Sequence, residues 1–204
     1  LVDIQNRVEW IRDRDHGALA GWYLWDEPEY YPNEVTAAQL NAAYAAIKQV
    51  DSHPVTFAAP GFGPNYPFLG AMDYGILDPY PIPLEPPDSI LTNLYQAQDA
   101  GKPFDFTVQS YQNNSYASWP GDSPGPSRFP SRDEARVLAY LALNQGAGNI
   151  IFYGYVESHV FPGVTWQWLK AIDVAHELVR LGPVYSSSDP PQIALQQGGP
   201  AGLD

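Results

Sequence analysis

Two adjacent carboxylates, Asp26 and Glu27, follow an aromatic and aliphatic stretch at 19–25. Such residues favour a buried β-strand, and Pro28 bounds it. Where parallel strands alternate with helices, chemistry lies just past the carboxyl ends of the strands. The position of these two residues therefore predicts that one of them acts as a catalytic acid or base. The alternative is a carboxylate that only caps the next helix or pairs with an arginine.

Other strand ends predicted from the sequence carry further candidates. A second carboxylate could come from Asp78 or Glu157, although Asp78 precedes Pro79 and could only set a turn. A long loop without predicted secondary structure at 110–130 carries several aromatics, which favours an ordered binding loop over disorder. The predicted substrate-contacting residues are Trp25, Tyr80, Gln109, Tyr111, Trp119, Tyr153 and Tyr155. For the tyrosines, packing under a loop is equally compatible with the sequence.

Apolar periodicity predicts helices that alternate with short strands. Helices are expected at 4–16, from about 37 to 50, from an N-cap at Asp88 to about 100, from Ser131 to about 145, and at 166–181. Thr36 and Ser131 each begin a capping-box pattern, and Gly182-Pro183 is expected to end the last helix. Strands are expected at 19–26, 54–59, 73–78, 103–109 and 149–155.

This order predicts an α/β fold with five βα units of a (β/α)8 barrel. A closed barrel needs eight units, so we expect either a fragment of one or an open sheet completed by another chain. The pattern also begins inside a helix. Residues 1–185 are expected to form the barrel-type domain, and 186–204 a polar Gly/Pro-rich tail or the start of a further domain.

Composition excludes several classes of function. The net charge of −13 argues against nucleic acid or an anionic membrane surface as a partner, since both attract Lys and Arg patches. The chain has no cysteine, and its four histidines show no metal-ligand spacing, so no metal site is predicted. No apolar run is long enough to span a membrane. Gly61-Phe62-Gly63 lacks the lysine and helix of a phosphate loop, and no cofactor is implied.

Three motifs in order resemble the retaining clan A glycoside hydrolases. The sequence Leu-Trp-Asp-Glu-Pro at 24–28 is similar to their strand-four signature, which usually reads Asn-Glu-Pro. The sequence Asp-Pro-Tyr-Pro at 78–81 resembles their strand-six exit, and 130–153 resembles helix seven and strand eight. The resemblance spans nearly the whole chain, from before strand four to after helix eight.

The resemblance implies that Glu27 is the general acid/base, with Asp26 replacing the asparagine that holds the sugar 2-hydroxyl. The family's nucleophile, a Glu at the end of strand seven, is replaced here by Gln109. An amide cannot form the glycosyl-enzyme ester, so the partner carboxylate is expected to be Asp78 or Glu157.

Three hypotheses follow for the function. The first is a glycosidase acting on a poly- or oligosaccharide, with Glu27 protonating the leaving oxygen; an extracellular or periplasmic location would suit it. The second is a non-catalytic carbohydrate-binding barrel that lacks the second carboxylate, which Gln109 favours. A third is a structural piece of a larger assembly, which an unclosed sheet edge would favour.

Overall fold

A computed structural model describes residues 2–15, 17–112, 128–154 and 165–187. Within these ranges the chain forms one five-stranded sheet whose neighbouring strands are all parallel. The strands are β1 (Trp22–Asp26), β2 (Val55–Ala59), β3 (Gly75–Leu77), β4 (Phe104–Gln109) and β5 (Ile150–Tyr153). The helices are α1 (Val2–Asp15), α2 (Ala37–Val50), α3 (Leu91–Asp99), α4 (Arg132–Asn144) and α5 (Thr165–Tyr185).

The strands lie in the sheet in the same order as in the chain, β1-β2-β3-β4-β5. In a doubly wound sheet the order reverses at a switch point, whereas in a βα barrel each strand lies beside the next. The sequential order is therefore that of a barrel segment, and the predicted α/β class of five barrel-type units is confirmed.

The two faces of the sheet differ in chemistry, because successive side chains point to opposite faces. One face is apolar and packs on the helices to form the main core. Its strand residues include Phe57, Ala59, Leu77, Phe104, Phe106 and Val108, and its helix residues include Leu40, Leu94, Leu138 and Val174. The alternating positions of β2 and β4 carry polar side chains, of which Thr56, Thr107 and Gln109 are all buried.

Local signals set most helix boundaries. Both predicted capping boxes form: the Gln39 N–H donates to Thr36 Oγ1 at 3.3 Å, and the Glu134 N–H donates to Ser131 Oγ at 3.2 Å. Each box satisfies backbone donors that a helix start leaves unpaired. None of the helices in the described ranges combines the length and apolar character needed to cross a bilayer.

Two boundary predictions were wrong. Asp88 does not cap α3, because a 3₁₀ turn at Pro87–Ile90 comes first and the α-helix begins at Leu91 without a side-chain cap. The last helix does not end at Gly182 but continues past Pro183 to Tyr185. Of the tail or further domain expected at 186–204, residues 188–204 lie outside the described residues.

Candidate active site

The carboxyl ends of the five strands lie along one edge of the sheet, since all pairs are parallel. Most of the candidate residues end a strand or follow one at this edge. They are Asp26 and Glu27 after β1, Asp78 and Tyr80 after β3, Gln109 and Tyr111 at β4, and Tyr153 at β5. We call this the acidic edge, after Asp26, Glu27, Glu29 and Asp78. The other candidates, Trp119, Tyr155 and Glu157, lie outside the described residues.

Glu27 adopts a backbone conformation that non-glycine residues seldom take. Its φ is 44° and its ψ is 61°, in the left-handed region. This costs about 1–3 kcal/mol and persists only where surrounding contacts enforce it. Here the Glu27 N–H donates to the carbonyl of Ala58 at 3.0 Å, and the Glu27 carbonyl accepts from the Tyr30 N–H at 3.1 Å. Buried Pro28 begins a 3₁₀ turn directly afterwards, so both sides of the residue are fixed.

Asp78 lies across β2 from Glu27. The Asp78 N–H donates to the carbonyl of Ala59 at 3.1 Å, next to the Ala58 carbonyl that binds Glu27. The two acids therefore flank the end of β2 from β1 and β3. Because neighbouring strands are about 4.8 Å apart, the backbones of Glu27 and Asp78 are separated by roughly 10 Å.

Burial and mutual repulsion keep both carboxyls in their neutral form to higher pH than usual. Burial, followed by the charges of Asp26 and Glu29, raises the pKa of Glu27 to about 7. Burial, followed by the charges of Glu27, Asp26 and Glu29, raises the pKa of Asp78 to about 8. Asp78 is only 6% exposed, and its Oδ1 has no hydrogen-bond partner among the described residues. Such a pair can hold a proton near neutral pH.

A β-bulge places a tyrosine beside Asp26. Tyr23 pairs with Thr56 and Asp26 with Ala58, so β1 uses one residue more than β2 between the two pairs. Without it, Tyr23 and Asp26 would point to opposite faces. With it, the Tyr23 hydroxyl donates to Asp26 Oδ1 at 2.5 Å.

A fourth carboxylate, Glu29, was not among the predicted residues. Burial raises its pKa, against the opposing effect of a hydrogen bond that the Tyr66 hydroxyl donates to its Oε2 at 2.8 Å. Its position two residues after Glu27, in the same turn, was a signal for it. Nothing in the sequence pairs Tyr66 or Tyr23 with these acids, because one contact depends on a loop and the other on the bulge.

Three predicted aromatic residues meet at the ends of β3, β4 and β5. The ring centroids of Tyr80 and Tyr153 are 5.8 Å apart with the rings nearly parallel, and Tyr111 meets them edge-on at 5.2 and 5.6 Å. Gly154, with φ of +106°, permits this approach, since a Cβ there would lie 2.5 Å from the Cβ of Tyr111. Tyr153 is 51% exposed, so the group presents an aromatic surface beside the acidic edge.

Gln109 is completely buried, and its amide binds backbone. Its Oε1 accepts from the Ile82 N–H at 3.1 Å, and its Nε2 donates to the carbonyls of Ile82 at 2.8 Å and Tyr111 at 3.2 Å. The amide thus joins the loops after β3 and β4. The predicted hydrogen bond from Gln109 to a sugar stays a prediction. The other strand candidate, Trp25, is half-buried and packs against the main core.

A metal centre is not supported by the described residues, which contain no group of three or more His, Cys, Asp or Glu side chains arranged to hold an ion.

Comparisons with known proteins give structural similarity without sequence similarity. No protein-family profile and no curated protein matches the chain. Its structure is similar to a candidate α-L-fucosidase from Bacteroides thetaiotaomicron VPI-5482, with a TM-score of 0.48 and 10% identity over 69% of this chain and 49% of that one. It is also similar to the GH113 β-mannanase AaManA from Alicyclobacillus acidocaldarius, with a TM-score of 0.49 and 13% identity over 85% of this chain and 59% of that one. The chain thus spans about half the length of the first protein and 59% of the second.

Proposed function

We propose that the acidic edge hydrolyses glycosidic bonds in a poly- or oligosaccharide. The observation that carries this proposal is the placement of Glu27 and Asp78 on either side of the end of β2, each partly or fully buried and each with a raised pKa. Glycoside hydrolysis needs two carboxyls across the scissile bond, one of them protonated at working pH.

Glu27 is the general acid. Its side chain is half-buried and therefore more accessible than that of Asp78, which is almost fully enclosed. The Glu27 carboxyl donates its proton to the glycosidic oxygen as the bond between that oxygen and the anomeric carbon breaks, and the sugar leaves as an alcohol. A water molecule supplies hydroxide to the anomeric carbon and its proton to the second carboxylate. The reaction therefore uses the form of the pair that holds one proton, with that proton on Glu27.

Asp78 is the partner that the described residues support, and Glu157 is the other candidate. The resembled family places a glutamate at the end of this strand, where this chain has Gln109. The second carboxylate must therefore come from a different strand. A carboxylate after β3 lies across one intervening strand from Glu27. Retaining and inverting enzymes place their two carboxyls roughly 5–9.5 Å apart, and this is the separation that the proposal requires of Glu27 and Asp78.

The test is the turnover of a polysaccharide panel by the chain and by Glu27→Gln, followed as released reducing ends. Loss of a general acid lowers kcat by about 10²–10⁴-fold. The reaction needs one proton on the Glu27–Asp78 pair, so activity of the parent chain should be highest between about pH 7 and pH 8 and should fall on either side, where both carboxyls are protonated or both are ionised. Unchanged turnover in Glu27→Gln, with intact folding shown by circular dichroism, would remove Glu27 from the reaction.

A second candidate function is carbohydrate binding without hydrolysis. The burial of Gln109 favours it, because the end of β4 then serves to hold two loops and offers no acid. The tyrosines at 80, 111 and 153 would still stack on a sugar ring. Binding of a glycan without any release of reducing ends would support this function over the first.

A further inference from the structure

The turn that carries Glu27 has to be held against the strain of its own backbone. Glu27 has a left-handed φ of 44°, which residues other than glycine rarely adopt unless surrounding contacts enforce it. One backbone hydrogen bond joins the Glu27 N–H to the carbonyl of Ala58, and another joins the Tyr30 N–H to the Glu27 carbonyl. The second bond lies inside the turn, so it does not fix the turn relative to the rest of the protein.

A side-chain contact supplies a further anchor. Glu29 lies in the same turn, two residues after Glu27, and its Oε2 accepts a hydrogen bond of 2.8 Å from the hydroxyl of Tyr66. Tyr66 belongs to the loop after β2, so this bond ties the turn after β1 to a different part of the structure. None of the ion pairs in the described part of the chain includes Glu29, so a neutral donor rather than a cation holds its carboxylate.

Tyr66 is itself held in place by packing. Its ring lies against three buried phenylalanines, with ring centroids 6.2 Å from Phe57, 6.2 Å from Phe62 and 5.4 Å from Phe68. Its N–H also donates to the carbonyl of Gly63 at 3.0 Å. A side chain can position a reactive group only when its own rotamer is fixed in this way.

We propose that Tyr66 is a positioning residue that holds the turn of Glu27 in its strained conformation through Glu29. In this role the hydroxyl does not contact the substrate. It keeps the Glu27 carboxyl where that group can donate its proton. The expected effect on turnover rests on the proposed hydrolysis, whereas the anchoring is a property of the folded chain.

The chain offers a matched control for the hydroxyl of Tyr66. The Tyr44 hydroxyl also donates to a carboxylate at 2.8 Å, but its acceptor is Asp73, which precedes β3. Tyr66→Phe and Tyr44→Phe each remove one hydroxyl bonded to an acid and keep the ring, so both variants should fold and show a similar loss of stability in urea. Only Tyr66→Phe should release the turn of Glu27.

The first measurement is amide hydrogen exchange under native conditions, followed at the N–H groups of Glu27 and Tyr30. Tyr66→Phe should speed their exchange about tenfold, the scale of one lost hydrogen bond to a charged group. Tyr44→Phe should leave both amides unchanged. Exchange that stays the same in Tyr66→Phe, or that becomes equally faster in both variants, would overturn the proposal.

The second measurement is turnover of the polysaccharide panel. Tyr66→Phe should lower kcat about tenfold and leave KM within about twofold, since a misplaced general acid weakens binding of the transition state and not of the substrate. Tyr44→Phe should keep both constants. A rise in KM alone, or an unchanged kcat alongside faster exchange, would overturn the positioning role.

A double variant tests whether Tyr66 acts through Glu29. Glu29→Ala removes the other half of the same contact, so it should also lower kcat. Tyr66→Phe combined with Glu29→Ala should then lose no more than Glu29→Ala alone. Losses that multiply in the double variant would contradict action through Glu29.

The outcomes separate this inference from the proposed hydrolysis. If Glu27→Gln abolishes turnover while Tyr66→Phe changes neither exchange nor kcat, the enzyme proposal stands and this inference fails. If the parent chain cleaves no glycan but Tyr66→Phe speeds exchange at the Glu27 and Tyr30 amides and Tyr44→Phe does not, the anchor is supported and the hydrolysis proposal fails.

Discussion

The two ends of the sheet shift the pKa values of carboxyls in opposite directions. At the amino end, Asp73 accepts hydrogen bonds from the Val55 N–H at 2.8 Å, the Tyr44 hydroxyl at 2.8 Å and Lys48 Nζ at 3.1 Å. Burial alone would raise its pKa, but these three donors hold the pKa of Asp73 below its usual value. At the carboxyl end, Asp78 is buried among like charges and its pKa is raised to about 8.

The difference separates a carboxylate that stabilises the fold, Asp73, from Asp78, which we propose as the catalytic partner. A carboxylate with a lowered pKa contributes stability that is lost as pH falls through that pKa. One with a raised pKa binds a proton more tightly when folded, so it reduces stability as pH rises from its unfolded value toward its folded one. In βα barrels, residues at the amino end of the strands serve stability, whereas the reactive groups lie at the carboxyl end.

The largest expected effect comes from placing a further carboxylate at the carboxyl end. Gln109→Glu restores the residue type of the resembled family but removes the Nε2 donor to the carbonyls of Ile82 and Tyr111. It also buries a charge opposite those oxygens, so we expect a loss of about 2–4 kcal/mol in the free energy of unfolding and no gain in turnover. Urea denaturation and the reducing-end assay measure both, with Gln109→Met as the uncharged control. A stable and more active variant would show that the amide is not structural.

At the amino end, Asp73→Asn should destabilise the fold by about 1–3 kcal/mol at pH 7, because it removes a charge-assisted contact with Lys48 and one acceptor oxygen. The loss should shrink at low pH, where Asp73 of the parent chain is itself protonated. Urea denaturation at several pH values tests this. Equal destabilisation at pH 3 and pH 7 would contradict the ionic role of Asp73.

The same change at the carboxyl end should act in the opposite direction. Asp78→Asn removes a buried acid whose ionised form is poorly solvated in the folded protein. The variant should therefore raise the free energy of unfolding by about 1–2 kcal/mol near pH 8.5, where the parent acid ionises, and leave it nearly unchanged near pH 4. The pH dependence measured against the parent chain is the readout. Destabilisation by this variant across the whole range would mean that Asp78 supports the fold as Asp73 does.

The fold was predictable from the sequence because each local signal agreed with the next. The capping boxes at Thr36 and Ser131 and the alternation of strands and helices were enough to predict five parallel units. The end of α3 was also signalled, since Gly101 adopts a φ of 68° directly after it. The boundary at Asp88 was not, because a 3₁₀ turn and an N-cap share the same residue types.

The candidate site was only partly predictable. The strand-end rule found Glu27, Asp78 and the three tyrosines, because it depends on strand direction alone. It could not find the Tyr23–Asp26 contact, which needs a bulge, or the Tyr66–Glu29 contact, which joins residues 37 positions apart. It also could not show that the Gln109 amide hydrogen-bonds the backbone of Ile82, since that contact depends on where the loop after β3 lies.

The most direct test of the account is a carbon-13 NMR titration of the side-chain carboxyls, with assignments from Glu27→Gln and Asp78→Asn. The account predicts midpoints near 7 for Glu27 and near 8 for Asp78, while Asp73 at the other end of the sheet titrates below its usual pKa. Midpoints below 5 for both Glu27 and Asp78 would show that neither holds a proton at neutral pH, and would contradict an acid-catalysed reaction at this edge.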